Sequence, residues 1–407
     1  MHKLGVVLLL SIVVSACEGI KPEAPSEGSW RGELAVMDGQ VLPFNFRLVQ
    51  SGPKNYAVEI TNAEELISVD EVTIKGDSII IKTPVFEGYI AGTYTKDQIK
   101  GKFIKESLER VVPFKAIYGP TERFDAKNEP TANVSGIWET VFESGTDDAY
   151  LGKGVFSQNG KKVSGTFQTT TGDYRYLDGI VDGDSLKLST FDGAHAFLFT
   201  AKIEVGAMKG IFYSGNHSKE TFVGKRNMDY ELPSPDSLTY LKEGFDSFSF
   251  RFPNADGNLV SLDDPRFKGK VVVVQLMGTW CPNCLDETKF LVDYMKRNAN
   301  EELAIVALAF EYAKTEAGAF KSIARLADRI GVNYPILLAQ YGSSDKEEAQ
   351  QKLPMLNHVL SYPTTIFLDK QGQVRKIHTG FNGPATGEKY ELFKQEFDVE
   401  VKRLLSE

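Results

Sequence analysis

Hydrophobic and polar positions along this chain follow two different periods. Between residues 29 and 228 the apolar runs are short, β-branched or aromatic, and end in Gly, Asn or Asp. Val41–Val49, Tyr56–Ile60, Ser78–Lys82 and Lys100–Ile104 are examples, and they predict closely spaced strands. Leu186 and Leu188 alternate with Lys187 and Ser189, as one buried face of a strand requires. From residue 245 the pattern changes to alternating strand and helix. Val271–Met277 predicts a buried strand and residues 282–297 a helix. Ala304–Phe310 and Tyr334–Ala339 predict further strands. Phe320, Ile323, Ala327 and Ile330 recur at helical spacing before Gly331. Ser344-Asp345-Lys346-Glu347 fits a capping box, and Pro354 must end the helix it opens. Thr365–Asp369 and Val374–Thr379 predict a hairpin. Tyr390, Phe393, Phe397, Val401 and Leu404 line one face of a terminal helix.

The first half repeats itself. Gly28-Ser29-Trp30 returns as Gly136-Ile137-Trp138, and Gly76-Asp77-Ser78 returns as Gly183-Asp184-Ser185. Lys100-Gly101 returns as Lys209-Gly210, each at an offset of about 108 residues. The expected fold is therefore multidomain. Residues 29–120 and 133–228 form two duplicated all-β domains, each a meander barrel or a sandwich, and 245–407 form an α/β domain. The early Gly-x-Trp resembles small up-and-down barrels in which the Trp plugs one end, so Trp30 and Trp138 are assigned to core packing, with ligand stacking as the alternative. Residues 231–244, with Pro233 and Pro235, read as the linker.

The chain of 407 residues is too long for one core. Its formal charge of −9 and pI near 5.3 argue against nucleic acid and against a polybasic membrane patch. Of three cysteines, Cys17 ends an N-terminal segment with a basic start and an apolar stretch, Leu4–Val14, too short to span a bilayer. Small residues before Cys17 resemble a bacterial lipobox. That resemblance implies a signal peptide over residues 1–16, lipidation of Cys17 and exposure outside the cytoplasm. Residues 17–28, rich in Pro, Gly, Glu and Ser, then read as a flexible tether.

Trp280-Cys281-Pro282-Asn283-Cys284 carries the chemistry. A thiol pair at the start of a helix meets unpaired N–H groups and the positive dipole end, which favour thiolate, the form that attacks disulfides. Cysteines at i and i+3 sit one turn apart and can close or open a small disulfide ring. That ring spans too few residues to stabilise a fold, which favours a working pair over a staple. A zinc site lacks further cysteine ligands, so no metal and no cofactor beyond a redox-active Cys281–Cys284 disulfide is expected. A peroxidase is disfavoured because no upstream cysteine stands in a Pro/Thr-rich loop to meet peroxide.

The block from Phe245 onward resembles the thioredoxin fold, and within it the TlpA/ResA-like thiol–disulfide oxidoreductases of bacterial envelopes. Phe267-Lys268-Gly269-Lys270-Val271, Gly278-Thr279-Trp280-Cys281 and Cys284-Leu285-Asp286-Glu287 carry the resemblance. It implies that Cys281 attacks and Cys284 resolves. It implies a cis-proline at Pro363, with the backbone of Tyr362 left to pair with substrate and Trp280 beside it. It further implies that Glu287 acts on cysteine pKa and proton transfer, against a plain solvated helix residue as the alternative. Gln275 stands where thioredoxins carry a buried Asp. Bland roles are expected for His358 and His378; Phe381-Asn382-Gly383-Pro384 is a loop that could border the site. The expected partners are protein thiols and disulfides, a membrane thiol reductant and, through Cys17, the lipid bilayer. Reduction of exported proteins is the favoured direction, and an oxidase or isomerase is the alternative within that chemistry. An envelope lipoprotein whose β domains bind a ligand or partner, with the thiol domain accessory, is the alternative outside it.

Overall fold

The alternating segments of the first half close into two antiparallel barrels. The structure, a computed structural model, describes residues 23–52, 55–343 and 345–407. Residues 1–16 and Cys17, where the signal peptide and lipid site are expected, lie outside the described residues.

The first barrel is a meander of β1 (Gly28–Ala35), β2 (Val41–Gly52), β3 (Asn55–Asn62), β4 (Glu65–Lys75), β5 (Ser78–Lys82), β6 (Tyr89–Tyr94), β7 (Gln98–Lys105) and β8 (Arg110–Tyr118), and β8 pairs back onto β1. The second comprises β9 (Gly136–Phe142), β10 (Tyr150–Asn159), β11 (Lys162–Thr169), the two-residue β12 (Gly172–Asp173), β13 (Leu177–Asp182), β14 (Ser185–Phe191), β15 (Ala196–Glu204), β16 (Ala207–Ser214) and β17 (Ser218–Arg226). Pairing of β17 with β9, and of β10 with β11, closes the ring. Closure, with the last strand of each barrel paired to the first, settles the choice between barrel and sandwich.

Both interiors are filled by side chains. Trp30, Phe44 and Phe46 pack in the first, and Trp138, Phe142, Phe167 and Phe199 in the second. Each Trp donates its indole N–H to the carbonyl four residues earlier, Trp30 to Ser26 at 2.9 Å and Trp138 to Val134 at 2.8 Å. A side-chain bond kept in both copies is what a duplicated core predicts, and it places both Trp in packing roles. It also corrects the tether. Ser26 donates its N–H to the Lys96 carbonyl at 2.8 Å and Glu23 pairs with Lys96 at 2.6 Å, so the described end of this segment is fastened to the first barrel.

The second half opens with a hairpin, β18 (Arg251–Pro253) and β19 (Leu259–Ser261). A five-stranded sheet follows, with β20 (Val271–Met277) at its centre and every residue of that strand buried. β21 (Leu303–Phe310) runs parallel to β20, and β22 (Ile336–Gln340) parallel to β21. On the other side β23 (Thr364–Leu368) and β24 (Val374–Thr379) are antiparallel. Helices α1 (Pro282–Arg297), α2 (Glu316–Ile330), α3 (Lys346–Lys352) and α4 (Glu388–Ser406) complete it. Asp345, one residue later than the capping-box expectation, caps α3 by accepting from the N–H groups of Glu347 and Glu348 at 2.8 and 2.9 Å. Among the described residues no helix is long and apolar enough to cross a membrane.

The predicted linker is also a docked strap. Leu241 bridges to Leu356, and the Lys242 N–H reaches the Met355 carbonyl at 2.8 Å. Asp236 sits 2.7 Å from His378 Nδ1, and His358 Nε2 lies 3.0 Å from the Leu238 carbonyl. Both histidines hold this strap and neither lines the cysteine cleft.

Candidate active site

Strand β20 delivers the chain through Gly278-Thr279-Trp280 to the start of α1. Cys281 is the N-cap, in extended conformation, and its Sγ accepts the Cys284 N–H at 3.2 Å. Pro282 occupies the first turn, where its missing N–H costs nothing. Cys281 and Cys284 are disulfide-bonded, with Cα atoms 5.2 Å apart. The Tyr362–Pro363 peptide is cis, and the Tyr362 carbonyl oxygen lies 3.4 Å from Cys281 Sγ. Trp280 anchors its indole N–H on the Phe310 carbonyl at 2.9 Å and packs against Tyr312 and Tyr362, with ring centroids 5.2 and 5.8 Å away.

Two buried carboxyl groups flank this turn. Glu287 is fully buried beneath α1, where the Gln275 amide donates to it at 2.8 Å and the Thr365 hydroxyl at 2.5 Å. Gln275 also donates to the Cys284 carbonyl at 3.4 Å, so one side chain links the Cys284 turn to the carboxyl. Burial pushes the Glu287 carboxyl up to about 7, against the lowering effect of Thr365 and Gln275. The plain solvated-helix alternative for Glu287 is therefore excluded. Glu311, which sequence reasoning missed, accepts from the N–H and hydroxyl of Thr279, both at 2.7 Å. Burial pushes it up to about 7 as well.

Cys281 is 6% exposed and Cys284 0%, so neither cysteine is on an open surface. The reason is the second barrel. Its Thr171–Asp173 turn lies across the helix start. The Asn283 amide donates to the Asp173 carbonyl at 3.2 Å, the Ser361 hydroxyl to the Thr171 carbonyl at 2.8 Å, and the Gly383 N–H to the Asp173 carboxylate at 2.6 Å. The Phe381–Pro384 loop thus borders the site through the barrel turn. Gly172 has φ +139°, and a Cβ there would fall 2.2 Å from the Asn283 amide nitrogen. Only glycine permits so close an approach. What remains is a cleft of about 590 Å³ between Tyr150, Tyr174 and Phe197 of the barrel and Trp280, Cys281 and Tyr362 opposite.

Behind the turn, Arg175 locks all three bodies together. It stands in the left-handed region at φ 63° and is buried. Its guanidinium pairs with Asp286 of α1, with Glu65 of the first barrel, and with Asp192 at 3.7 Å. Among the described residues no group of three or more His, Cys, Asp or Glu is placed to hold a metal.

Known proteins resemble this chain over its second half. The family described as Redoxin matches residues 243–392. The thioredoxin-like protein YneN of Bacillus subtilis is 31% identical over 140 residues, 34% of this chain and 73% of that protein. The thiol-disulfide oxidoreductase ResA of Bacillus subtilis is 28% identical over 142 residues, 34% of this chain and 69% of that protein. A thioredoxin-family thiol:disulfide interchange protein from Chlorobium tepidum overlays 40% of this chain and 98% of its own, at 21% identity and a TM-score of 0.30.

Proposed function

Because the chain belongs to the TlpA/ResA-like thiol–disulfide oxidoreductases, enzymes whose substrates are protein thiols, we propose that it reduces disulfides of exported proteins through Cys281 and Cys284. The observation that carries this reading is Cys281 Sγ at the N-cap, accepting the Cys284 N–H, with Cys284 one turn inside and Tyr362 alongside. The N–H bond and the helix dipole favour a thiolate at Cys281.

In the reduced enzyme the Cys281 thiolate attacks one sulfur of the substrate disulfide. A Cys281–substrate bond forms, the substrate S–S bond breaks, and one substrate thiolate leaves. Cys284, its proton taken up by ionised Glu287, attacks Cys281 Sγ. The second substrate thiolate leaves and the Cys281–Cys284 disulfide closes, two electrons having passed to the substrate. The disulfide-bonded form described above is the enzyme after turnover, and a membrane thiol reductant resets it. Tyr362 and Trp280 form the wall against which the substrate backbone lies, beside Pro363. Export and a lipid anchor at Cys17 belong to the same reading, supported by the apolar stretch that ends at Ser15-Ala16-Cys17. A Cys17→Ala form is then expected in the soluble fraction of a lysate.

The test is a pair of variants. Cys284→Ser should accumulate mixed disulfides on Cys281, and Cys281→Ser should be inactive in insulin reduction. Residual turnover by Cys281→Ser overturns the assignment. The direction is tested by the redox potential measured against glutathione: a potential near thioredoxin's supports reduction, and one well above the glutathione couple supports an oxidase or isomerase.

A further inference from the structure

The cysteine cleft does not end at Trp280. A second cavity of about 290 Å³ lies beyond it, and Trp280, His195 and Phe197 line both spaces. The two spaces adjoin at the indole, so a chain passing around it would follow a path from one to the other. The far end is lined from the first barrel by Lys105 and Arg110 and from the second by His217.

Three features distinguish this end of the path from an ordinary basic surface. Lys105 is buried and donates to the Ala194 carbonyl at 3.1 Å, yet among the described residues it forms no ion pair. Arg110, partly buried, likewise forms none among the described residues. Of the neighbouring acids, Glu87 accepts from the Ser107 hydroxyl at 2.5 Å through one oxygen, and Asp192 faces Arg175 and His195 at 3.7 and 3.4 Å; both act on the Lys105 charge, and neither forms an ion pair with it. Removing a cation from water without a counter-charge is costly. The strain shows in the groups themselves. Burial pushes Lys105 down to about 8 and Arg110 below its ordinary value, and burial with the Arg110 and Lys105 charges pushes His217 down to about 4. No Asp or Glu lines this cavity, so Lys105 and Arg110 are the charges it presents, with Glu87 and Asp192 acting on Lys105 from outside it. An anion entering it would regain the missing pairing through charge-assisted hydrogen bonds.

We propose that this cavity is a carboxylate subsite, and that the enzyme selects protein disulfides with an acidic residue one or two positions from the reacting cysteine. The proposal rests on the reading that substrate meets Cys281 in the cleft. Trp280 immediately precedes Cys281, so a chain lying over the sulfur passes the indole within a residue or two, at about 3.3–3.6 Å per extended residue. Lys105 and Arg110 are specificity-determining residues in this scheme and take no part in the sulfur chemistry.

The experiment uses the full chain and two arms. In the first, calorimetry compares binding to the oxidised enzyme of two cysteine-free peptides with Ser at the cysteine position, differing only by Asp or Asn beside it. The Asp peptide should bind about tenfold more tightly, and Arg110→Gln should abolish the difference, with Lys105→Gln as a second variant. Equal or undetectable binding of both peptides, or a preference that survives both substitutions, overturns the subsite. In the second arm, the neutral hydroxyethyl disulfide should be reduced equally by wild type and both variants. A wild type unable to reduce it would strike the oxidoreductase reading and leave the binding result standing. Glutathione disulfide supplies the same group from a small thiol. Tighter binding of glutathione disulfide than of the Asp peptide overturns the protein source of the carboxylate.

Discussion

The two barrels began as copies and now do different things. In the first, β3 and β4 form a plain hairpin, registered from Asn62↔Glu65 onward. In the second, the matching hairpin is opened. β12 pairs only with the end of β11, and the chain from Tyr174 to Tyr176, with Arg175 at φ 63°, leads on to β13. By the Trp30–Trp138 offset, Glu64 in the first copy corresponds to Gly172 in the second. Glu64 is solvent-exposed, whereas Gly172 presses on Asn283 at the cysteine turn. The first barrel meets the redox domain through ion pairs at its rim, such as Asp70 with Arg329 at 2.9 Å, and through Val85 and Phe86, which are buried in that domain's core. The second supplies a wall of the cleft. Duplication kept the closed barrel and its Trp anchor, and one altered loop brought the second copy to the catalytic turn.

The largest effect should come from removing the cation that joins the second copy to α1. Arg175→Ala leaves Glu65, Asp192 and Asp286 facing one another in a buried site, and should cost about 3–5 kcal/mol in urea unfolding of the full chain. A loss below about 1 kcal/mol would mean the three bodies are held together elsewhere.

Glu287→Gln tests the buried acid of the redox domain itself. The folded-state value near 7 lies above the ordinary 4.5, so the native state holds the proton longer than the unfolded chain. Stability from this group is complete below about 4.5 and is lost as pH rises through about 7. Relative to wild type, the Gln variant should gain on the order of 3 kcal/mol between pH 4 and pH 8. Resolution of the mixed disulfide, followed by stopped flow, should lose its rise around pH 7 in the same variant. An unchanged stability profile would remove Glu287 from the proton inventory.

The matched pair Gly172→Ala and Glu64→Ala sharpens the contrast between copies. The first should lower kcat/KM on a protein disulfide by about ten- to a hundredfold through displacement of Asn283 and the helix start. The second should leave activity unchanged. Equal effects would erase the functional distinction. The smallest effect belongs to the exposed rim: Arg329→Ala should cost at most about 1 kcal/mol and change no kinetic constant.

The redox turn is legible in the sequence. The strand Val271–Met277, the N-cap position of Cys281 and the helix bounds follow from contacts within a few residues, where backbone preference leaves few choices, and the cis-proline after Tyr362 is what the family resemblance implies. The number of β domains and their repeat are equally plain, whereas the choice of barrel over sandwich waited on strand closure. The placement of Glu287 is only half visible: its spacing from Cys284 puts it on the right helix side, but its burial depends on Thr365 and Gln275 from other strands. Asp173, Arg175 and Glu311 escape such reasoning. The signal that could find the first two is the break in the repeat, where Gly172-Asp173-Tyr174-Arg175-Tyr176 replaces the hairpin of the first copy.

Taken alone, then, the order of residues determined the kinds of domain, their number, and a cysteine pair at a helix start, because alternation, helical periodicity and capping act over one to four positions. The folded chain alone decided that a distant barrel covers those cysteines, that a buried arginine binds three bodies at Asp286, and that Lys105 and Arg110, without an ion pair among the described residues, lie beyond Trp280. Those contacts join residues about a hundred positions apart, and such pairings leave no periodic trace. They arise only when whole surfaces meet and each buried charge must find, or lack, a partner.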